Sequence, residues 1–117
     1  MNTFQFKNRT KAFAIDVIQF IKSLPRTNSS MIIGKQLFRC ATSVGANYRS
    51  ACRARSRADF IAKMGIVEEE CDESMYWMEL LIDINEADPK FVGDLIREAD
   101  EISSMVVASI KTARFNK

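Results

Sequence analysis

The sequence contains no histidine. That absence removes the usual general base, the commonest metal ligand and every catalytic triad that depends on imidazole. The three cysteines are an odd number in no Cys-x-x-Cys arrangement, so neither a disulfide framework nor a zinc site is indicated, and a reducing compartment is expected. No glycine-rich phosphate loop is present either. We therefore expect a protein that is not an enzyme, with no cofactor and no metal.

Turn-forming residues are scarce as well, with 4 Gly and 2 Pro in 117 residues. That is too few for a many-stranded sandwich or barrel. Long apolar runs are also lacking, since no stretch approaches the roughly 18 residues of a membrane span and charges interrupt the first dozen residues. The length suits one domain, and 47% hydrophobic residues suffice for one core. We expect a single all-α domain over residues 1–117, located in the cytoplasm.

Apolar periodicity and capping signals predict four helices, over about residues 10–24, 30–54, 56–86 and 88–114. Thr10 is the expected N-cap of the first helix, and one of residues 28–30 caps the second. Ser56 opens the third helix with a variant of the capping box, and Asp88 precedes Pro89 at the start of the fourth. Short connections between amphipathic helices favour an up-down-up-down antiparallel four-helix bundle.

The third helix is expected to have two apolar faces. One enters the core, and consists of Phe60, Met64, Val67, Cys71, Met75, Met78 and Ile82. The other lies on its flank, and consists of Ile66, Trp77, Leu81 and Ile84. Large exposed apolar patches are rare on monomers, so this flank is expected either to contact another helix of the same chain or to be buried between subunits, and we favour burial between the subunits of a homo-oligomer.

Charge is segregated along the chain. Residues 1–63 carry 12 basic and 2 acidic side chains, whereas residues 64–101 carry 2 basic and 13 acidic ones. Six of the cations lie on one face of the second helix and in the turn after it: Lys35, Arg39, Arg49, Arg53, Arg55 and Arg57. Arginine donates paired hydrogen bonds to phosphate oxygens, so this face is a candidate nucleic-acid contact. The alternative is a structural oligomer, in which the arginines pair with the acidic run 68–73 of a neighbouring subunit.

A third interpretation concerns the acidic residues themselves. Glu70 and Glu73 share an E-x-x-E spacing with Glu98 and Glu101, and two such pairs on two helices are able to hold Mg²⁺ in some helical nucleotide hydrolases. Carboxylates crowded at this density are more often solvated or paired with cations, so this interpretation ranks last.

The segment SVGANYRSACRARSRADF, at residues 43–60, resembles a family of bacterial four-helix-bundle proteins. These were first noticed as reading frames in the intervening sequences of large-subunit ribosomal RNA genes. The resemblance continues through IVEEECDE, at residues 66–73, and WMELL, at residues 77–81. Many members read Asn-Ile-Ala-Glu-Gly from position 47, where this chain reads Asn-Tyr-Arg-Ser-Ala, which places it in a sister branch.

The resemblance implies a ring-like homopentamer. A related branch, the accessory variability determinants of diversity-generating retroelements, binds nucleic acid through a basic surface and associates with a reverse transcriptase. By position, the resemblance carries over Arg39, Arg49, Arg53, Arg55 and Arg57 as polyanion contacts and none as catalytic. The resemblance also implies three partners, namely further copies of the chain, nucleic acid and a reverse transcriptase. It implies an accessory role for the protein.

Overall fold

The computed structural model describes residues 1–116, which form four α-helices and no strand. They are α1 (Thr3–Lys22), α2 (Asn28–Ala51), α3 (Arg57–Asp83) and α4 (Pro89–Phe115). Each helix packs against two others, since α2 and α4 both contact α1 and α3, and the bundle measures 50 × 21 × 21 Å. The predicted all-α fold with four helices in one compact unit is confirmed. No helix in residues 1–116 combines the length and apolarity needed to cross a membrane.

The first helix starts seven residues before its predicted beginning. Asn2 is its N-cap, where the side chain accepts a hydrogen bond from the Gln5 amide at 2.8 Å and the Asn2 amide donates to Gln5 Oε1 at 3.0 Å. This reciprocal pair is a capping box, a signal that the sequence contained in Asn2-x-x-Gln5. The assignment of Thr10 as N-cap was wrong, because Thr10 is buried inside α1 and its hydroxyl donates to the Lys7 carbonyl oxygen.

The other helix starts agree more closely with the sequence. Thr27 caps α2 by accepting from the Ser30 amide at 3.1 Å, one residue before the predicted range, and α2 ends at Ala51. Ser56 caps α3 as predicted, and its Oγ accepts from the Asp59 amide at 3.0 Å. Asp88 and Pro89 begin α4, also as predicted.

The end of α3 is set by Asn85, the one non-glycine residue in the described chain with a positive φ, at 60°. The Glu86 amide donates to the Leu81 carbonyl at 2.9 Å, and the Asn85 amide donates to the Ile82 carbonyl at 3.0 Å. This pair of bonds is a Schellman motif, in which asparagine replaces the usual glycine. The helix therefore ends at Asp83, before the predicted residue 86.

The core face of α3 is rotated from the predicted one. Its buried residues are Met64, Val67, Cys71, Ser74, Met78 and Leu81. These positions alternate steps of three and four residues, a period of about 3.5 that keeps one seam toward the neighbouring helices. The predicted outer position of Leu81 was wrong, because Leu81 is 0% exposed in that seam. Phe60, Met75 and Ile82 are only partly buried.

The packing of α1 on α2 depends on Gly45. A Cβ atom at this position would lie 3.1 Å from Thr10 Oγ1 and 3.6 Å from the Thr10 carbonyl carbon. Thr10 is fully buried at this point, so the absence of a side chain at residue 45 lets the two helices approach closely.

The two helix-interior glycines Gly45 and Gly65 form a matched pair for a stability test. Gly65→Ala adds a methyl group where no atom outside its own neighbours and the local helix backbone lies within 4 Å, so it should stabilise the fold by about 1 kcal/mol through helix propensity. Gly45→Ala gains the same propensity but crowds Thr10, so its net effect should be smaller or unfavourable. Urea unfolding of both variants measures the difference. Equal stabilisation by the two substitutions would show that α1 and α2 are not held at this distance by Gly45.

Candidate nucleic-acid interface

A groove of about 400 Å³ runs between the first half of α1 and the second half of α2. Lys7 and Lys11 of α1 and Arg49 of α2 line it, and none of the described residues along it is acidic. Thr10 and Gly45 also line the groove, so the close contact between them positions the three cations around one concave surface. Phe4, 72% exposed, lies along the same groove.

The lysines of this groove were missed by the sequence analysis. Lys7 and Lys11 are four residues apart, which places them one above the other on a helix face. Because helix 1 was predicted to begin at Thr10, Lys7 fell outside the helix and the pair was not recognised. The capping box at Asn2 and Gln5 was the signal that would have revealed them.

The six cations predicted from α2 and the following turn do not all line the same groove. Arg49 joins the groove with Lys7 and Lys11, whereas Lys35 lines a second pocket near the other end of α2. Arg53, Arg55 and Arg57 follow the end of α2, where the Arg55 amide donates to Asp59 Oδ2 and the Arg57 guanidinium donates to the Asn116 carbonyl.

The remaining member, Arg39, is directed toward α3. Its guanidinium pairs with Glu73 and, at 3.4 Å, with Glu70. Trp77 Nε1 donates to Glu73 Oε2 at 3.0 Å, and this bond, together with that from Arg39, holds the pKa of Glu73 below its ordinary value. Arg39 is thus paired with carboxylates of its own chain. The structural alternative expected pairs of this kind, but between subunits.

A second arginine makes the equivalent contact between α1 and α4. Arg9 donates from Nε to Glu98 Oε2 at 2.8 Å and from Nη2 to Glu98 Oε1 at 2.7 Å, and Glu101 lies 3.5 Å away. The hydrogen bond to Glu98 raises the pKa of Arg9. Each E-x-x-E pair of the sequence is therefore engaged by one guanidinium. Among residues 1–116, no group of three or more acidic or cysteine side chains is arranged to hold a metal ion.

Two of the cysteines are buried in the core. Burial raises the pKa of the Cys71 thiol to about 12 and raises that of Cys40 as well. Both thiols are consequently protonated at neutral pH, which makes them poor nucleophiles. Cys52, at the end of α2, is exposed.

The predicted oligomer face of α3 is only partly on the surface. Ile66 and Ile84 are 43% and 39% exposed, Trp77 is half-buried beside Glu73, and Leu81 belongs to the core. Further apolar side chains are exposed on α1 and α2, namely Phe4, Ile15, Met31, Ile32 and Phe38. The run Met31-Ile32-Ile33 contained this signal, since three successive apolar residues of a helix cannot all face one core.

The Glu73 cluster gives a pH-dependent prediction. Trp77→Phe removes the hydrogen bond that lowers the Glu73 pKa most, and Arg39→Gln removes both a hydrogen bond and a charge interaction that lower it, so in each variant that pKa should rise toward 4.5. Since the folded pKa is the lower one, the ionised carboxylate stabilises the fold above about pH 4.5, and this contribution is lost as the pH falls through the folded pKa. Wild type and Arg39→Gln should therefore converge in stability in acid.

NMR titration of the Glu73 carboxyl carbon measures these shifts, with Lys111→Gln on α4 as the control. An unchanged Glu73 pKa in either variant would contradict the assignment of that contact as a cause of the lowered pKa.

The chain is similar to a solved protein and to a family model. A crystal structure from Bacteroides thetaiotaomicron, described as a protein of unknown function from the S23 ribosomal protein family, is 33% identical, with a TM-score of 0.87 over 95% of this chain and 99% of that chain. No curated protein matches. The model of the 23S rRNA-intervening sequence protein matches residues 2–108, which confirms the resemblance seen in the sequence. The chain therefore belongs to the 23S rRNA-intervening sequence protein family.

Proposed function

We propose that this protein is a non-enzymatic, homo-oligomeric bundle that binds the backbone of RNA or DNA along the α1–α2 groove. The observation that carries the proposal is the convergence of Lys7, Lys11 and Arg49 on one concave surface whose described lining contains no carboxylate. Within residues 1–116, the ion pairs within 4.0 Å involve other cations, namely Arg9, Arg39, Lys63 and Arg97. The three groove cations are thus available to phosphates.

The separation of charge between helices supports this role. The acidic side chains are concentrated on α3 and on the first half of α4, whereas α1 and α2 together contain one acidic residue, Asp16. Opposite potentials on the two sides of a bundle 21 Å across direct a polyanion toward the α1–α2 side.

The proposed topology is up-down-up-down, and contacts at the two ends of the molecule support it. Phe6, early in α1, stacks edge-on against Tyr48, late in α2, with ring centroids 4.6 Å apart. At the other end, the Thr27 hydroxyl before α2 donates to Glu86, which follows α3, at 2.7 Å.

The proposed assembly is a homo-oligomer, which the exposed apolar residues of α1, α2 and α3 favour, and the resemblance described above implies that it has five subunits. If the three-cation groove is repeated around a ring, the modest contacts of the individual subunits would combine, and one strand would be bound with higher avidity. By its resemblance to the related branch described above, the protein would serve in the cytoplasm as an accessory to a nucleic-acid enzyme such as a reverse transcriptase.

A salt titration tests the groove directly. Each phosphate that a cation neutralises adds roughly 0.7 to 0.9 to the slope of log affinity against log salt. Replacing Lys7, Lys11 and Arg49 by Gln should therefore weaken binding of a single-stranded oligonucleotide and reduce the slope by about 2 to 3. The thermal midpoint should not fall, because like charges are removed.

The control for this test is Arg97→Gln, which removes an exposed α4 cation that is paired with Asp94. It should leave the slope unchanged. Absence of wild-type binding at low salt would reject the nucleic-acid function in favour of the structural oligomer.

Light scattering tests the assembly. The wild-type mass should be about five times the chain mass of 13.3 kDa if the subunits form a closed cyclic ring. Ile66→Asp places a charge on the exposed face of α3 and should lower the mass, whereas Phe115→Asp, at the end of α4, should not. A monomeric wild type at micromolar concentration would reject the oligomer.

A further inference from the structure

A second pocket, of about 480 Å³, lies where α1 ends and α2 begins. Its apolar lining includes Ile21, Leu24 and Phe38, and the backbone of Gly34 forms part of its buried wall. This volume is within the range of pockets that bind small organic molecules. Neither the groove described above nor the family relationship assigns a role to it.

Ser30 provides the first sign that the pocket binds a polar group. Ser30 lines the pocket and is 1% exposed, and its hydroxyl oxygen has no hydrogen-bond partner among residues 1–116. The helix cap does not use this hydroxyl, because Thr27 caps the Ser30 amide and Glu86 accepts from the hydroxyls of Thr27 and Ser29. A buried hydroxyl without a partner is costly, and a ligand that bonds to it would remove that cost.

Three cations provide the second sign. Lys22, Arg26 and Lys35 line the same pocket with exposed side chains, and none has a carboxylate within 4.0 Å among residues 1–116. The described lining contains no acidic residue. The pocket therefore combines an apolar, partly aromatic interior, one buried hydroxyl and a positively charged set of exposed side chains.

We propose that this pocket binds a nucleoside monophosphate group, either as a free nucleotide or as the phosphorylated 5′ end of a strand. The base lies in the apolar interior, where Phe38, 47% exposed, offers a face for stacking. The Ser30 hydroxyl bonds to a polar atom of the nucleoside, and the phosphate meets Lys22, Arg26 and Lys35. The strand form of this ligand rests on the proposed nucleic-acid function, whereas the free nucleotide does not.

Other ligand classes fit the pocket less well. Inorganic phosphate would contact the cations but leave the apolar interior empty and Ser30 unpaired. A hydrocarbon chain would fill the interior but also leave Ser30 without a partner. A nucleoside phosphate satisfies all three features together.

Calorimetric titration with adenosine monophosphate, adenosine and inorganic phosphate tests the composite ligand. Adenosine monophosphate should bind at least tenfold more tightly than either part. Equal affinity for adenosine monophosphate and inorganic phosphate would overturn the proposal, because no nucleoside would then be bound.

Ser30→Ala separates binding from folding. It removes an unpaired buried hydroxyl, so the thermal midpoint should stay the same or rise, while affinity for adenosine monophosphate should fall about two- to tenfold, the range for one hydrogen bond. Lys35→Gln should also weaken binding, and Lys111→Gln, which changes a lysine on α4, should not. Unchanged affinity in Ser30→Ala would overturn the assignment of its hydroxyl to the ligand.

A comparison of strands distinguishes this proposal from the groove function. An oligonucleotide with a 5′ phosphate should bind more tightly than the same strand with a 5′ hydroxyl, and Lys35→Gln, which removes a contact to that phosphate, should reduce the preference. If both strands bind equally and the slope of log affinity against log salt is that expected for the groove, the pocket does not bind the 5′ end of a strand. The groove function would then remain intact. If Phe38→Ala dissociates the oligomer and adenosine monophosphate does not bind, a second copy occupies the pocket and the proposal fails.

Discussion

Two basic helices, α1 and α2, lie side by side in this bundle. One arginine from each forms an ion pair with a carboxylate of another helix, which reduces the repulsion between the two. Arg9 of α1 forms a bidentate pair with Glu98 of α4, and Arg39 of α2 pairs with Glu73 of α3. Both pairs join a cation of α1 or α2 to a carboxylate of α3 or α4, so they contribute to the order of the helices around the bundle. Pairs at partly exposed positions are individually weak, and the apolar seam supplies most of the stability. Their effect is to use two cations internally and leave the others at the surface.

The remaining cations of α1 and α2 define the functional side of the molecule. Gly45 lets α1 and α2 approach closely. The basic groove lies toward one end of these two helices, and the pocket that contains Ser30 lies toward the other. A strand whose 5′ end entered the pocket beside Ser30 would continue along α2 toward Arg49. The two proposals therefore describe one surface, with separate residues for the strand end and for the backbone.

Local sequence signals predicted the helices well where the cap was a single recognisable residue, as at Ser56 and Asp88. The start of α1 was missed because its cap, Asn2, lies at the very beginning of the chain, and Thr10 offered a plausible substitute. Leu81 was misplaced because an ideal period of 3.6 was assumed, whereas packed helices hold a seam of 3.5. The placement of Lys7 and Arg49 along one groove between two helices could not be predicted from periodicity, since it depends on Gly45. The direction of Arg39 likewise depends on which neighbour α2 packs against.

The weakest packing in the bundle is between α1 and α4, and every other pair of packed helices is consecutive in the chain. Such a pattern has low contact order, which favours rapid folding of the helices in sequence. The contact from Arg9 to Glu98 spans 89 residues and closes the circle of helices. We therefore expect α1 to be the helix that separates first in local opening and to show the fastest amide hydrogen exchange of the four. Since α1 forms one wall of the basic groove, a bound strand would slow that exchange.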